Sequence, residues 1–182
     1  MDSQSLYYKG TMIFEEHYPL NTILRTMYNF KHSKKWDKLV MGKEDFLFEK
    51  EDRSCFYSIS KVKMPLKFQN RILVDKIMRF VEFTPEHPSG VFYLYASAVP
   101  PNIAAEKGSD PDFTLGETVV AMEKIYRRAS DGKIQYDLLA QQDMKMKVTP
   151  ALIKMFVGGE FKGRYDRMIK YINDHIDELE RP

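Results

Sequence analysis

The pattern of apolar and polar positions predicts a sheet-rich chain with one helix near its start. Alternating, β-branched and aromatic runs predict strands at residues 8–14, 46–51, 55–62, 72–84, 91–99, 117–128 and 133–142. Residues 19–30 predict a helix, because Pro19 suits a first turn and apolar residues follow at helical spacing. A compact turn signal at residues 130–132 separates the last two strands, and such short connections indicate an antiparallel sheet.

The C-terminal segment changes to a helical period. Across residues 150–179 apolar side chains recur at the spacing of one helix face, namely Phe161, Tyr165, Met168, Ile169, Ile172, Ile176 and Leu179. The first part, ALIKMFVGG at residues 151–159, is apolar nearly all round, which predicts burial on more than one side. With no linker or internal repeat, the order of elements predicts one α+β domain in which an antiparallel sheet packs on a long C-terminal helix.

Residues 99–115 are predicted to form a long loop without regular structure between two strands. Connections of this length in a compact domain are usually functional lids or disordered segments, and the composition allows either. Ile103 and Phe113 give the loop apolar side chains to bury.

Composition favours a globular protein that does not bind nucleic acid. The 182 residues are 43% hydrophobic and carry a net charge of +2, too small for nucleic acid to be the main partner. The one cysteine, Cys55, cannot form an internal disulfide, which favours a reducing compartment. The sequence begins without a secretory signal, and its longest apolar run, residues 91–101, is far shorter than the roughly 20 residues of a membrane span. We therefore expect a cytoplasmic protein.

Methionine and aromatic residues are abundant, with 11 methionines, 12 phenylalanines and 11 tyrosines. Such side chains suit a cavity that accommodates apolar ligands of variable shape, and they equally suit a large filled core. No set of residues is specific for catalysis: the four histidines, His17, His32, His87 and His175, are not at metal-ligand spacings. The segment GGEFKG at residues 158–163 also lacks the strand and the Lys-Ser/Thr ending of a phosphate-binding loop. The sequence therefore predicts binding without a cofactor or metal, and not catalysis.

Three stretches resemble, in order, segments of the START domains, the StAR-related lipid-transfer family. They are HSKKWDKLV at residues 32–40, KVKMPLKFQNRILV at residues 61–74 and ASDGKIQYDLLAQQDMKMKVTPALI at residues 129–153. The resemblance covers about residues 7–175 and is closest to the phosphatidylcholine-carrier branch. It implies a helix-grip fold, a curved antiparallel sheet wrapped around a long C-terminal helix with an internal apolar cavity. The usual N-terminal helix of the family has no counterpart in this sequence, which suggests either an abbreviated domain or a fragment of a longer protein.

The resemblance also implies a function and a set of candidate residues. One lipid is held in the tunnel, and the protein visits membrane surfaces transiently as a monomer. The candidate lipid-binding residues are Met27, Trp36, Asp37, Leu39, Arg71, Met122, Lys124, Met155 and Phe156. The expected gate consists of the loop, with Ile103 and Phe113, and the start of the last helix, with Gly158 and Gly159.

Several positions depart from the phosphatidylcholine carriers. Ser33 and Leu39 stand where those carriers have an arginine and a tyrosine, while the aspartate position is kept as Asp37. Met27 replaces a helix tyrosine and Lys124 a strand glutamine. These changes make phosphatidylcholine less expected, and a lysine in the tunnel would suit an anionic phospholipid or a fatty acid, with a sterol as a further possibility. If the side chain of Lys124 faces outwards, it is ordinary surface.

Structural roles compete with ligand binding at the other candidates. Trp36 suits core packing, Asp37 suits a helix or turn cap, and Arg71 suits a buried pair at the corner between two strands. MKMKV at residues 144–148 is either a strand end or a loop that inserts into a membrane. The expected function is lipid binding and transfer with a phospholipid as the expected ligand, and the alternatives are a cyclase-like enzyme on the same fold or a ligand-free protein-interaction module.

Overall fold

The computed structural model describes residues 5–15, 17–64, 68–146, 149 and 160–180. Within these ranges the strands are β1 Ser5–Phe14, β2 Val40–Phe48, β3 Cys55–Val62, β4 Asn70–Thr84, β5 His87–Ala98, β6 Phe113–Leu115, β7 Glu117–Arg127 and β8 Ile134–Asp143. The helices are α1 Leu20–Tyr28, α2 Phe30–Trp36, α3 Pro101–Lys107 and α4 Glu160–Glu180.

The strands form one curved sheet in the order β1-β8-β7-β5-β4-β3-β2, in which all neighbours are antiparallel. The short strand β6 lies beside the start of β4 and pairs with it in parallel. The predicted α+β class, with an antiparallel sheet and a C-terminal helix, is confirmed. The predicted turn at residues 130–132 joins β7 to β8, and Gly132 supplies its positive φ of 72°.

One face of the sheet, called the inner face here, packs against α1 and α4. The apolar face of α4 supplies core residues because its buried positions recur at helical spacing. Fully buried side chains from the sheet and both helices meet there, namely Phe14, Ile125 and Ile134 from strands, Ile23 from α1, and Met168 and Ile172 from α4. Burying each such side chain contributes about 1.5–3 kcal/mol to folding, so this layer is the main source of stability. The helical geometry of α4 is interrupted at His175, where φ is −134° and ψ is 23°.

The structure corrects the sequence-based elements in three places. The predicted loop at residues 99–115 contains α3 and β6, so it is not structureless. A second helix, α2, follows α1 directly, and the Asn29 side chain begins it by accepting a hydrogen bond from the Lys31 amide. β2 begins at Val40, earlier than predicted, because register shifts near both of its ends interrupt the alternation that marks a strand.

Candidate functional site

The centre of the inner face carries a row of small side chains. Ala96, Ala121 and Ala140 are direct neighbours on β5, β7 and β8. All three are buried and belong to the core cluster, so their methyl groups point towards the helices. Alanine fills the least space of any apolar side chain, so this alanine row takes up little of the layer between the sheet and the helices.

Glu123 lies on one side of the alanine row, within a cluster of tyrosines. The Tyr28 hydroxyl of α1 donates a hydrogen bond to the Glu123 carboxylate, and Tyr136 of β8 is a second hydrogen-bonding neighbour. Burial raises the pKa of Glu123, while the Tyr28 hydrogen bond and the positive charge of Arg164 partly offset it. Burial and the carboxylate also raise the pKa of Tyr28 and Tyr136 well above the ordinary value. Both tyrosines are therefore neutral donors at physiological pH.

Arg164 of α4 joins this cluster to α2. Its guanidinium pairs with the Asp37 carboxylate at 2.5 Å, and the Asp37 side chain is only 1% exposed. Burial lowers the pKa of Arg164, but Asp37, together with Tyr136 and Glu123, more than offsets that effect and raises it. The Nε atom of Arg164 has no hydrogen-bond partner among the described residues. The cation is thus balanced by Asp37 while one of its donors remains free.

A second polar group lies on the other side of the alanine row. The Tyr8 hydroxyl donates to Gln142 Oε1 at 2.8 Å, and Gln142 Nε2 donates to Thr118 Oγ1 at 3.1 Å. Thr118 in turn lies beside the carboxyl group of Asp75 on β4 and lowers its pKa against the larger effect of burial. Burial raises the pKa of Tyr8 to about 12 and that of Asp75 to about 7. The inner face therefore presents two carboxyl groups, one on each side of the alanines.

Three groups of the Glu123 cluster keep accessible surface although protein surrounds them. Tyr28 and Glu123 are only partly buried, and the Arg164 side chain keeps 35% of its accessible surface. Yet burial is the largest influence on the pKa of all three. These three groups are therefore candidates for contact with a molecule held between the sheet and the helices.

Trp36 and Asp37, predicted as ligand contacts, form a structural link between helices. The Trp36 indole is buried and donates to the Thr26 carbonyl at 3.1 Å. The Asp37 carboxylate accepts from the Leu39 amide at 3.0 Å in addition to its ion pair. Both the core-packing role and the turn-capping role, the competing interpretations, are thus present. Met27 on α1 is partly buried and packs on the same core as Trp36.

Arg71 lies at the corner where β4 begins. It is 4% exposed, and its Nε donates to the Met144 carbonyl at 2.6 Å. A second nitrogen donates to the Gln69 carbonyl, and the neighbouring Asn70 side chain accepts from the Met64 amide. Asn70 and Arg71 therefore form a corner in which Arg71 ties the start of β4 to the residue that follows β8, while Pro65 lies outside the described residues.

Met122 and Lys124 lie on the outer face of the sheet, which corrects the prediction that they face a ligand. Ala121 and Ile125 of the same strand are buried in the core, and successive side chains of a strand point to opposite faces. Lys124 instead places its ammonium group 4.5 Å from the centre of the Tyr126 ring. An anionic ligand can therefore not be argued from Lys124.

A β-bulge in β7 explains why the predicted alternation placed Met122 and Lys124 on the wrong face of the sheet. The register of β7 against β8 shifts between Thr118 and Val120. Continuing the alternation from Thr118 through Val120 to Lys124 therefore misassigns every residue beyond the bulge by one position. The inward residue at this level is Glu123. An acidic residue between Ala121 and a buried isoleucine is the signal in the sequence that could have identified it.

The predicted gate residues lie partly outside the described chain. Ile103 is partly exposed on α3. Phe113 lies on β6, which pairs with β4, and the Lys61 ammonium group lies 4.9 Å from the centre of its ring. Met155, Phe156, Gly158 and Gly159 fall outside the described residues, as does the end of the MKMKV segment.

The described residues of the inner face combine apolar side chains with a few polar groups. Among the described residues no group of three or more His, Cys, Asp or Glu side chains could hold a metal ion. No helix in the described ranges is long and apolar enough to cross a membrane. What the inner face offers is apolar surface, neutral tyrosine donors and two carboxyl groups, of which Asp75 is buried and Glu123 is partly buried.

Searches by sequence find no match, either among protein-family models or among curated proteins. Solved structures, in contrast, match over nearly the whole chain. Human STARD10 is 17% identical with a TM-score of 0.68, and the match covers 98% of this chain and 69% of that one. Human StAR-related lipid transfer protein 5 is 15% identical with a TM-score of 0.72, covering 92% and 76%. The lipid transfer and protein localization domain of human StarD13 is 14% identical with a TM-score of 0.66, covering 91% and 76%.

These likenesses establish the fold. The chain has the helix-grip architecture of the StAR-related lipid-transfer domains, with the curved antiparallel sheet and the C-terminal helix in the same arrangement. The implied fold is therefore confirmed, while the resemblance to the phosphatidylcholine-carrier branch stays a prediction.

Proposed function

We propose that this protein binds one lipid-like molecule between the inner face of the sheet and the helices, and carries it between membranes without converting it. The observation that carries the proposal is the set of Tyr28, Glu123 and Arg164, which keep accessible surface inside the fold. The alanine row beside them leaves room for an apolar chain. The shared fold with StAR-related lipid-transfer domains supports the same interpretation.

Filling the space should block binding if the ligand lies over the alanine row. Ala121→Phe adds a ring on the inner face, whereas Val120→Phe adds the same ring on the outer face, where Val120 is 46% exposed. In the proposed arrangement both variants fold, Ala121→Phe loses uptake of a fluorescent fatty-acyl probe, and Val120→Phe keeps it. Native mass spectrometry of the wild type should show one co-purified lipid.

Two results would contradict this assignment. If Ala121→Phe takes up the probe as well as the wild type, the ligand does not lie over the alanine row. If the ring instead destabilises the protein by the 1–3 kcal/mol that overpacking of a filled core costs, and no lipid is recovered from the wild type, the interior is filled. A ligand-free protein-interaction module would then be the better interpretation.

A cyclase-like enzyme on the same fold is the second candidate. The observation that favours it is Glu123, a partly buried carboxyl group whose pKa is raised, as in many general acids. Binding remains preferred because the Glu123 carboxylate already accepts a hydrogen bond from the Tyr28 hydroxyl group, and both neighbouring tyrosines are held neutral. Mass analysis of the ligand after prolonged incubation distinguishes the two, since a carrier returns it unchanged.

Ligand entry is proposed to involve α3 rather than the whole segment of residues 99–115. β6 shares backbone hydrogen bonds with β4, so Phe113 cannot move without breaking a ladder. α3 has no buried residue and is free of such a ladder, which leaves Ile103 as the moving apolar contact. Gly158 and Gly159 remain predicted hinge positions. We expect the protein to act as a cytoplasmic monomer that contacts membranes transiently through this region.

The entry route can be tested with a pair of charge substitutions on α3. Ile103→Asp places a charge on the partly buried side, and Ala105→Asp places it on the exposed side of the same helix. Ile103→Asp should slow transfer between vesicles more than Ala105→Asp while leaving the amount of bound lipid unchanged. Equal transfer rates for the two variants would exclude Ile103 from the route.

A further inference from the structure

The strand β1 forms an open edge of the sheet. Among the described residues it pairs with one strand, β8, and the ten residues Ser5–Phe14 do so in one unbroken register. The other side of β1 therefore presents a long, regular row of backbone N–H and C=O groups. Such an edge is a template on which a further strand can add.

The opposite edge of the sheet is protected against strand addition, whereas β1 is not. The register of β2 is interrupted near both ends, Leu47 has a positive φ of 45°, and residues 43–45 are all charged. Bulges and charges of this kind are what proteins use to keep an edge from pairing. β1 has no bulge, no proline and one charged residue, Lys9. It also exposes two apolar side chains on the outer face, Tyr7 by 65% and Ile13 by 40%.

A second copy of β1 complements this edge in one antiparallel register. A strand that pairs with its own copy does so about a two-fold axis, so the numbers of facing residues have a constant sum. With the axis at Gly10, which has no side chain to obstruct it, Tyr7 of each copy lies opposite Ile13 of the other. Pairs of an aromatic and a β-branched side chain across two strands are favourable, and this register forms two of them.

The charges beside β1 favour the same register. Thr11 Oγ1 donates to Asp137 Oδ1 at 2.8 Å, so this carboxylate lies next to β1 on the outer face. With the axis at Gly10, Lys9 of the second copy lies opposite Thr11 and two strand spacings, about 10 Å, from Asp137. An axis at Lys9 would instead bring two ammonium groups directly opposite each other, which is destabilising.

We propose that two copies of this chain associate through β1 in this register and form one continuous sheet. The inference does not depend on the proposed lipid-binding function. The Tyr165 hydroxyl group donates to the Ile13 carbonyl at 2.8 Å, and a carbonyl oxygen has a second lone pair for a strand bond. One strand from each copy makes a small interface, so the association is weak and dilute protein is the monomer expected for a carrier.

Sedimentation of the full chain between about 1 and 300 µM measures this association. The mass should rise from the 21.4 kDa of the monomer towards twice that value, with a dissociation constant of about 10–100 µM. Tyr7→Lys combined with Ile13→Lys puts like charges opposite each other at two points and should weaken the dimer at least about tenfold. Tyr7→Glu combined with Ile13→Lys puts opposite charges there and should keep the dissociation constant within about threefold of the wild type.

A third variant controls for added charge. Met41→Lys combined with Val120→Lys introduces the same two charges at exposed apolar positions outside β1 and should leave the dimer intact. Circular dichroism verifies that all variants are folded. A chain that stays monomeric over the whole range overturns the inference and leaves the edge to a strand of another protein. Open-ended polymers, a dimer that persists in Tyr7→Lys/Ile13→Lys, or equal weakening of the two β1 variants would overturn it as well.

Discussion

Asp75 should make the ligand-free protein less stable as the pH rises towards neutral. Its pKa is raised from the ordinary value of 3.8 to about 7 by burial, so the folded state holds the proton more tightly than the unfolded state does. Stability is therefore greatest below the unfolded pKa, falls as pH increases from 3.8 to about 7, and is constant above. Asparagine has nearly the shape of aspartate but carries no charge, so the Asp75→Asn variant should not lose stability over this pH range.

The magnitude follows from the two pKa values. One pKa unit corresponds to about 1.4 kcal/mol, so a carboxyl group carried from 3.8 to about 7 loses about 4 kcal/mol of folding free energy over that range. The free energy of unfolding of Asp75→Asn, minus that of the wild type, should therefore increase by about 4 kcal/mol between pH 4 and pH 8. A protein of ordinary stability, about 5–15 kcal/mol, would show this as a large shift of the urea midpoint.

Urea unfolding at a series of pH values measures the difference, with the fluorescence of Trp36 as the signal. Trp36 is the one tryptophan of the sequence and is 6% exposed, so unfolding changes its surroundings. Asp112→Asn, at an exposed position of the same charge type, is the matched control and should give a pH-independent difference. If the free energy of unfolding of Asp75→Asn, minus that of the wild type, varies by less than about 1 kcal/mol between pH 4 and pH 8, the reasoning is refuted. Asp75 would then be solvated or paired in the folded state.

Further predictions concern the link between helices and two single residues. Asp37→Asn leaves Arg164 without its counter-charge and should lower the free energy of unfolding, measured in urea, by about 3 kcal/mol. Asp174→Asn removes one partner of an exposed pair and should lower it by less than about 0.5 kcal/mol. Equal losses for the two variants would contradict the burial of the Asp37–Arg164 pair. Trp36 should resist quenching by acrylamide in the folded protein, and ready quenching would show that it is exposed. Burial raises the pKa of Cys55, so iodoacetamide at pH 8 should alkylate its thiol much more slowly than a free thiol. An alkylation rate equal to that of glutathione would contradict the burial of Cys55.

Elements with a simple repeat could be predicted from the sequence. The strand at residues 55–62 is found as β3, and the turn at residues 130–132 joins the last two strands as predicted. The helical period of the C-terminal segment is found in α4 over residues 160–180. In each case the period of buried positions matches the geometry of the backbone, and no distant contact is needed to recognise it. The class of fold follows from the order of these elements.

The composition of the site depended on contacts that no local pattern reveals. The bulge in β7 decides that Glu123 faces inwards and Lys124 outwards, because one extra residue reverses every later side chain of a strand. Asp37 and Arg164 are 127 positions apart and meet only because α2 packs near α4. Tyr8 and Gln142 are 134 positions apart and share a hydrogen bond only because β1 pairs with β8. Such pairings are set by how the layers pack, because hydrogen bonds and ion pairs depend on distances in space, whereas periodicity records only which side of an element is buried.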